Sequence, residues 1–414
     1  GTEESSTTCN PMTPLWRANH RISSNTGKRV TIVLFVVSLT LAAVLVLSKR
    51  SDWEGHLNRD SGAMHATIRG LQSARMRQWQ TFRRAAWSPR CEYMKDSGAH
   101  AATHHGDGGY APKYEDLDCR TGPTVLKDFS TIILDQDGVL WRGDNVFPTT
   151  IPSLSKFRQL GLRVLFVTNN AAKSRSQYVE KWKEVGVEVE KDEIVPASFL
   201  AAAYLKSIKF SGKVFLIGAE GTRIELEEHG IATTQCSNDQ TTITNGELLD
   251  YTLDSEVKAV VLAHDPNFSY RKLALATQYL RNDPDCIFVV TNMDECDVLD
   301  NDRFMPGTGA LASALVAATG RKPINTGKGG DFILPYLMQR YEFNPHEMLC
   351  IGDRLDTDIA LGHQANCKTA LPLTGVTSRA LLRKTPPEKQ PTYVMDNLGI
   401  LVGIRETNDG VPST

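Results

Sequence analysis

The chain has 414 residues, 46 Lys+Arg against 48 Asp+Glu, 41% hydrophobic residues and eight cysteines. That length holds two or three domains with a sizeable core. The ordinary composition excludes a wholly disordered, collagenous or many-span membrane protein, and the near-zero net charge carries no sign of a nucleic-acid partner. The charge is unevenly spread. Residues 1–120 hold 16 Lys+Arg and 11 Asp+Glu, and the remainder holds 30 and 37, so a basic leader precedes a mildly acidic body.

The leader contains Val30–Ser48, 19 residues without a charge. At about 1.5 Å per residue, a helix of that length nearly spans the ~30 Å hydrocarbon core, so 30–48 is expected to be a transmembrane or signal-anchor helix and the membrane a partner. Positive charges flank both sides, which leaves the orientation open. Residues 61–91 contain no Asp or Glu but hold Arg69, Arg75, Arg77, Arg83, Arg84 and Arg90 among Leu71, Trp79, Phe82 and Trp87. Such a stretch reads as an organelle transit segment, as a membrane-surface helix or as a solvated stalk. An apolar run followed by a transit-like stretch resembles the two-part leaders that route proteins into plastids with extra envelopes. The expected location is therefore membrane-associated through a single-pass anchor, with a plastid or other organelle as the alternative. Residues 98–122 are rich in Gly, His and acid and read as a linker.

The cysteines Cys9, Cys91, Cys119, Cys236, Cys286, Cys296, Cys350 and Cys367 form no CxxC pair, so no zinc site is expected. A chain this long needs no disulfide framework, and Cys286, Cys350 and Cys367 read as buried, reduced thiols.

Beyond Val125 short apolar runs alternate with amphipathic stretches. Strands are expected at 131–134, 163–167, 214–217, 257–262, 286–290, 348–351 and 368–371. Helices are expected at 174–185, 198–208, 270–281, 309–318, 332–341 and 357–365. Alternation of this kind implies βαβ units and a parallel sheet, with ligands outside the carboxyl ends of the strands.

Four strand-end features follow from that rule. The first run ends in Asp135-Gln136-Asp137-Gly138-Val139-Leu140-Trp141, which reads as an Asp–Gly turn or as two carboxylates aimed into one site. The second ends in Thr168-Asn169-Asn170, whose groups can hold a phosphoryl oxygen or cap the next helix. The third is Gly327-Lys328, a cation at a helix start. In the fourth, Asp353 follows Ile351-Gly352 and Asp358 lies five residues on; these suit a hard cation such as Mg²⁺ or acidic capping of a helix.

Together, in this order, the motifs resemble those of the haloacid dehalogenase (HAD) superfamily of phosphatases over about residues 125–405. The stretches DQDGVLW, VTNNAAKSR, PGTGALASAL, GDRLDTDIALG and LTGV are similar to the branch of 4-nitrophenylphosphatase, phosphoglycolate phosphatase and pyridoxal phosphatase. The resemblance implies an α/β fold: a doubly wound parallel-sheet core with an inserted α/β cap. The expected division is 1–29 disordered, 30–48 apolar helix, 49–122 basic segment and linker, 123–211 and 322–414 the two parts of the core, and 212–321 the cap.

The resemblance also assigns roles. Asp135 is the nucleophile that forms an aspartyl-phosphate, and Asp137 the general acid and then base. Thr168 and Lys328 complete the catalytic group. Asp135, the Asp137 carbonyl and Asp353 hold Mg²⁺, with Asp358 behind them. Asn169, Asn170, Gly138, Asn292 and Asp294 contact substrate. The family has Gly-Lys-Pro at the third motif; here Gly329 follows Lys328, which implies a looser turn. The cap segment His264–Tyr270 is a further candidate for choosing the substrate, and its Asn267-Phe268-Ser269 is also a glycosylation sequon. The substrate implied is a small phosphomonoester, 2-phosphoglycolate first, with pyridoxal 5′-phosphate or a broad range of monoesters as alternatives. A homodimer through the cap is implied as well. The competing class is a membrane-tethered HAD-fold binding protein without activity.

Overall fold

The computed structural model describes residues 109–235, 241–298, 303–406 and 412–413. The apolar run 30–48 and the arginine-rich stretch 61–91 lie outside them. Among the described residues no helix is long and apolar enough to cross a membrane.

The first sheet has seven strands, in the order Glu115–Asp116, Tyr393–Met395, Lys368–Pro372, Met348–Ile351, Thr131–Leu134, Arg163–Thr168 and Ile194–Pro196. All its pairings are parallel. Thr131–Leu134 is buried along its whole length because both sheet faces are covered, and a strand in that setting reads as an unbroken apolar run. Its residues split between two cores. Ile132 and Leu134 face Trp141, Phe157, Phe166 and Trp182, and Ile133 faces Leu165, Val167, Phe199 and Leu337. From this central strand the chain first winds outward through Arg163–Thr168, then returns to the other side at Met348–Ile351. That reversal leaves a crevice at the carboxyl ends of the three middle strands.

The second sheet has five parallel strands, in the order Ile324–Asn325, Ile287–Val290, Val257–Leu262, Lys213–Ile217 and Thr233–Thr234. Ile324–Asn325 lies past Arg321, the expected end of the cap. The helix Ala197–Ser207 packs on both sheets: Phe199, Leu200 and Ala203 lie in the first core, and Ala201, Ala202 and Leu205 in the second. A helix hydrophobic all round is the expected solution for that wedge.

The predicted strands and helices are present within one or two residues at either end. The exception is 357–365, which opens as a π-helical turn at Leu355–Ile359 before the α-helix Ala360–Gln364. The strands Ile194–Pro196 and Tyr393–Met395 have three residues each and give too little pattern to detect. Cys286, Cys350 and Cys367 are free thiols, the first two buried.

Candidate active site

The Thr131–Leu134 strand delivers Asp135 into the crevice, buried, with its N–H donating to the Ile351 carbonyl at 2.9 Å. The chain then turns sharply. Gly138 has φ +83°, and a Cβ there would sit 2.5 Å from Asp353 Oδ2, so this position admits only glycine without displacement. The Asp137 side chain beyond Asp135 has partners of its own. Asp137 Oδ1 accepts the Trp141 indole N–H at 2.9 Å, and Oδ2 accepts the Asn170 amide at 3.3 Å.

Lys328 is the buried cation of the site. Its Nζ lies 2.6 Å from Asp135 Oδ1 and 2.6 Å from Asp358 Oδ1, and donates to the Val167 carbonyl at 3.1 Å. Burial opposes its charge, but the Asp135 and Asp358 carboxylates outweigh that and raise its affinity for the proton above the ordinary lysine value. The expected loosening at Gly329 does not reach the ammonium. Gly329 has φ +86°, a conformation closed to proline, and the Lys328 N–H is held by Asn169 Oδ1 at 2.8 Å.

Asp353 follows the Met348–Ile351 strand. Its Oδ2 accepts the Val376 N–H at 2.6 Å, and a Cβ on Gly375 would overlap that oxygen. Its Oδ1 is buried and has no hydrogen-bond partner among the described residues. Asp358 is occupied on both oxygens, by Lys328 and by the Arg354 N–H at 3.2 Å. One oxygen from each of Asp135, Asp353 and Asp358 lies within 4.8 Å of the others. Burial, and then the charge of Asp358, raises the Asp135 carboxyl well above the ordinary range and pushes Asp353 up to about 7. One ammonium cannot neutralise three ionised carboxylates. The unpartnered oxygen on Asp353 and the excess negative charge fit a hard divalent cation.

Asn169, Asn292 and Asp294 line the same crevice, and their polar atoms engage one another. Asn292 donates to the Asn169 carbonyl at 2.7 Å, and the Asn169 amide donates to Asp294 Oδ2 at 3.1 Å. They stitch the end of the Arg163–Thr168 strand to the loop after Ile287–Val290. Within the His264–Tyr270 segment, Asp265 pairs with buried Lys272 at 2.7 Å, and Ser269 caps the helix Tyr270–Asn282.

The crevice encloses a cavity of about 270 Å³. Asp135, Asp137, Gly138, Thr168, Asn169, Asn170, Asn292, Asp294, Lys328 and Asp353 all line it, and Asp358 lies behind Lys328. Its wall also includes Arg142, His264, Asp297 and Arg354. Burial lowers the affinity of His264 for its proton. Burial, and then the Asp294 charge, raises Asp297 to about 6. Arg142 and Asp297 stand on two short hairpins, Trp141–Arg142 with Asn145–Val146 and Cys296–Val298 with Phe304–Pro306, and no apolar run points to either.

Residues 132–232 match the family described as haloacid dehalogenase-like hydrolase, and residues 325–401 match a second HAD-hydrolase-like family. A phosphoglycolate phosphatase 1A, chloroplastic, of Arabidopsis thaliana is 38% identical over 274 residues, 65% of this chain and 75% of its own length. A glycerol-3-phosphate phosphatase of Mus musculus is 37% identical over 284 residues, 66% and 87% of the two chains. The crystal structure of a glycerol phosphate phosphatase from Mycobacterium tuberculosis in complex with magnesium matches with TM-score 0.56 and 27% identity, over 67% of this chain and 77% of the other. With relatives of this identity and coverage, and with the motif residues gathered at one strand-end crevice, the chain belongs to the haloacid dehalogenase superfamily of phosphatases, in the branch of the phosphoglycolate, glycerol-3-phosphate and 4-nitrophenyl phosphatases, and is a phosphomonoester hydrolase.

Proposed function

We propose that the chain hydrolyses a small phosphomonoester, 2-phosphoglycolate first, through an aspartyl-phosphate on Asp135. The observation that carries the chemistry is the buried contact of Asp135 with Lys328 beside a second, differently placed carboxyl, Asp137. Asp135 Oδ attacks phosphorus as the ester bond breaks, and the leaving oxygen takes a proton from Asp137. Water then attacks the aspartyl-phosphate and returns its proton to Asp137, which restores both groups. Lys328 balances the charge that builds on the phosphoryl oxygens, and the Thr168 hydroxyl and Asn169 N–H hold those oxygens. Mg²⁺ would be held by Asp135, Asp353 and the Asp137 carbonyl, and when bound it screens the dianionic ester from the attacking carboxylate. Asp358 keeps Lys328 in place.

The substrate reading is supported by the relatives and by the cationic Arg142 and Arg354 on the cavity wall, which suit a second anionic group. One observation favours a second reading. The Asp297 carboxyl lines the same cavity and opposes a substrate carboxylate, which favours a polyol ester such as glycerol 3-phosphate. The test is kcat/KM with and without Mg²⁺ on 2-phosphoglycolate, glycerol 3-phosphate, pyridoxal 5′-phosphate and 4-nitrophenyl phosphate. Comparable values on all four would end the case for a dedicated phosphoglycolate enzyme. Asp135→Asn is expected to abolish turnover with the fold intact, and retained hydrolysis would sink the covalent route. The leader is read as an organelle-directing anchor, supported by its acid-free arginine stretch and by the chloroplastic relative. A homodimer through the cap is the assembly we propose.

A further inference from the structure

Asp137 and Trp141 belong to one closed loop. The Leu140 N–H donates to the Gln136 carbonyl and the Gly138 N–H to the Trp141 carbonyl, each at 2.8 Å. The loop carries the indole N–H to 2.9 Å from Asp137 Oδ1. The ring is fully buried. Trp182 packs on it with centroids 4.8 Å apart, and Lys181 Nζ stands 3.8 Å from its centroid. The indole therefore has no room to swing away. The other oxygen of Asp137, Oδ2, lies 3.3 Å from the exposed amide of Asn170, which lines the cavity.

An indole N–H donates and cannot accept. A neutral Asp137 therefore cannot point a proton from Oδ1 at Trp141, and this bond favours Oδ2, beside Asn170 on the cavity wall, as the oxygen that carries it. The Asn170 amide also donates, but it is the weaker and freer of the two donors: it is exposed and lies at 3.3 Å, against 2.9 Å for the buried indole, so it can turn aside where Trp141 cannot. The Lys181 ammonium draws on the ring face and strengthens the N–H as a donor.

We propose that Trp141 is a positioning residue for proton delivery: its N–H occupies one oxygen of Asp137 so that the other presents the proton to the leaving group. The proposal rests on the reading of Asp137 as the general acid. As the P–O(ester) bond breaks, the proton moves from Oδ2 to the departing oxygen, and the carboxylate left behind keeps the Trp141 bond. A purely structural tryptophan would slow all substrates alike. A positioning one matters most where the leaving group needs the proton.

The test compares kcat/KM of the full chain on phenyl phosphate and 4-nitrophenyl phosphate, which differ in leaving-group basicity and little in shape. Trp141→Phe is expected to lower the phenyl value about tenfold and the 4-nitrophenyl value less than about threefold. A second variant carries 3-benzothienylalanine at position 141. It keeps the indole outline with sulfur in place of N–H, so it separates hydrogen bond from packing, and it is expected to reproduce the selective loss. Equal loss on both substrates, or no loss in the benzothienyl variant, overturns the positioning role. Asp137→Asn is the control for the underlying reading. If that variant discriminates between the substrates and the position-141 variants do not, only Trp141 loses its role. If Asp137→Asn itself treats both substrates alike, the acid assignment falls and the proposal with it.

Discussion

Asp135 Oδ1 lies 2.6 Å from Lys328 Nζ, with 7% and 3% of the two side chains exposed. A pair this dry holds its charges only while both partners are present. Lys328→Met would leave Asp135 and Asp358 facing each other without a cation. Turnover is expected to fall about 10³-fold, and stability by roughly 3 kcal/mol. Steady-state assays and denaturant titration read the two effects. A variant with wild-type stability would show that the pair is not buried as described.

The carboxylate cluster predicts an inverted pH dependence without metal. Asp353 is raised to about 7 in the folded chain by burial and by the Asp358 charge. An unfolded aspartate titrates near about 3.9. Between these values the folded chain binds the additional proton, so stability is present at the acid end and declines as pH rises toward 7. The melting temperature in EDTA is expected to drop across this window, and Mg²⁺ to remove the drop. Asp353→Asn should flatten the EDTA series. A gain in stability with pH in EDTA would falsify the assignment.

Gly329 replaces the proline common to the family, and its backbone conformation means that the exchange cannot be reversed singly. Its φ of +86° is about as far from proline's fixed φ as the backbone allows. Gly329→Pro is expected to destabilise by about 3 kcal/mol and to displace Lys328, with loss of turnover. Gly329→Ala, which keeps the N–H, should cost about 1 kcal/mol. Thermal melts of the two variants check the order.

Asp297 sits in the cavity wall with its carboxyl raised to about 6. The neutral form no longer opposes a carboxylate substrate. Asp297→Asn is expected to raise kcat/KM for 2-phosphoglycolate relative to glycerol 3-phosphate about threefold at pH 8, the scale of one solvent-screened charge contact. In the parent the same ratio should improve as pH falls through 6. An unchanged ratio in the variant would remove Asp297 from substrate choice.

How far the sequence reaches can be seen at the strand ends. Thr131–Leu134 and Met348–Ile351 are apolar runs because both faces of a parallel sheet are covered, and the carboxylates that follow them stand where such sheets bind ligands. Asp135 and Asp353 are therefore legible in the sequence itself, as is Lys328 through the family motif. The three-residue strands are not, since so short a segment has no period. Neither are Arg142 and Asp297, which hairpins bring into the wall.

What the chain alone determined is which residues are candidates for the chemistry: strand-end carboxylates, a hydroxyl and a lysine, set by local pattern. Only the tertiary structure decided how they pair. Asp358 braces Lys328, Asn169 bridges to Asp294, and Trp141 turns back onto Asp137. The Asp358 and Asn169 pairings span long sequence separations and the Trp141 contact depends on a positive φ at Gly138, so all three follow from packing and turn geometry, to which hydrophobic periodicity is blind.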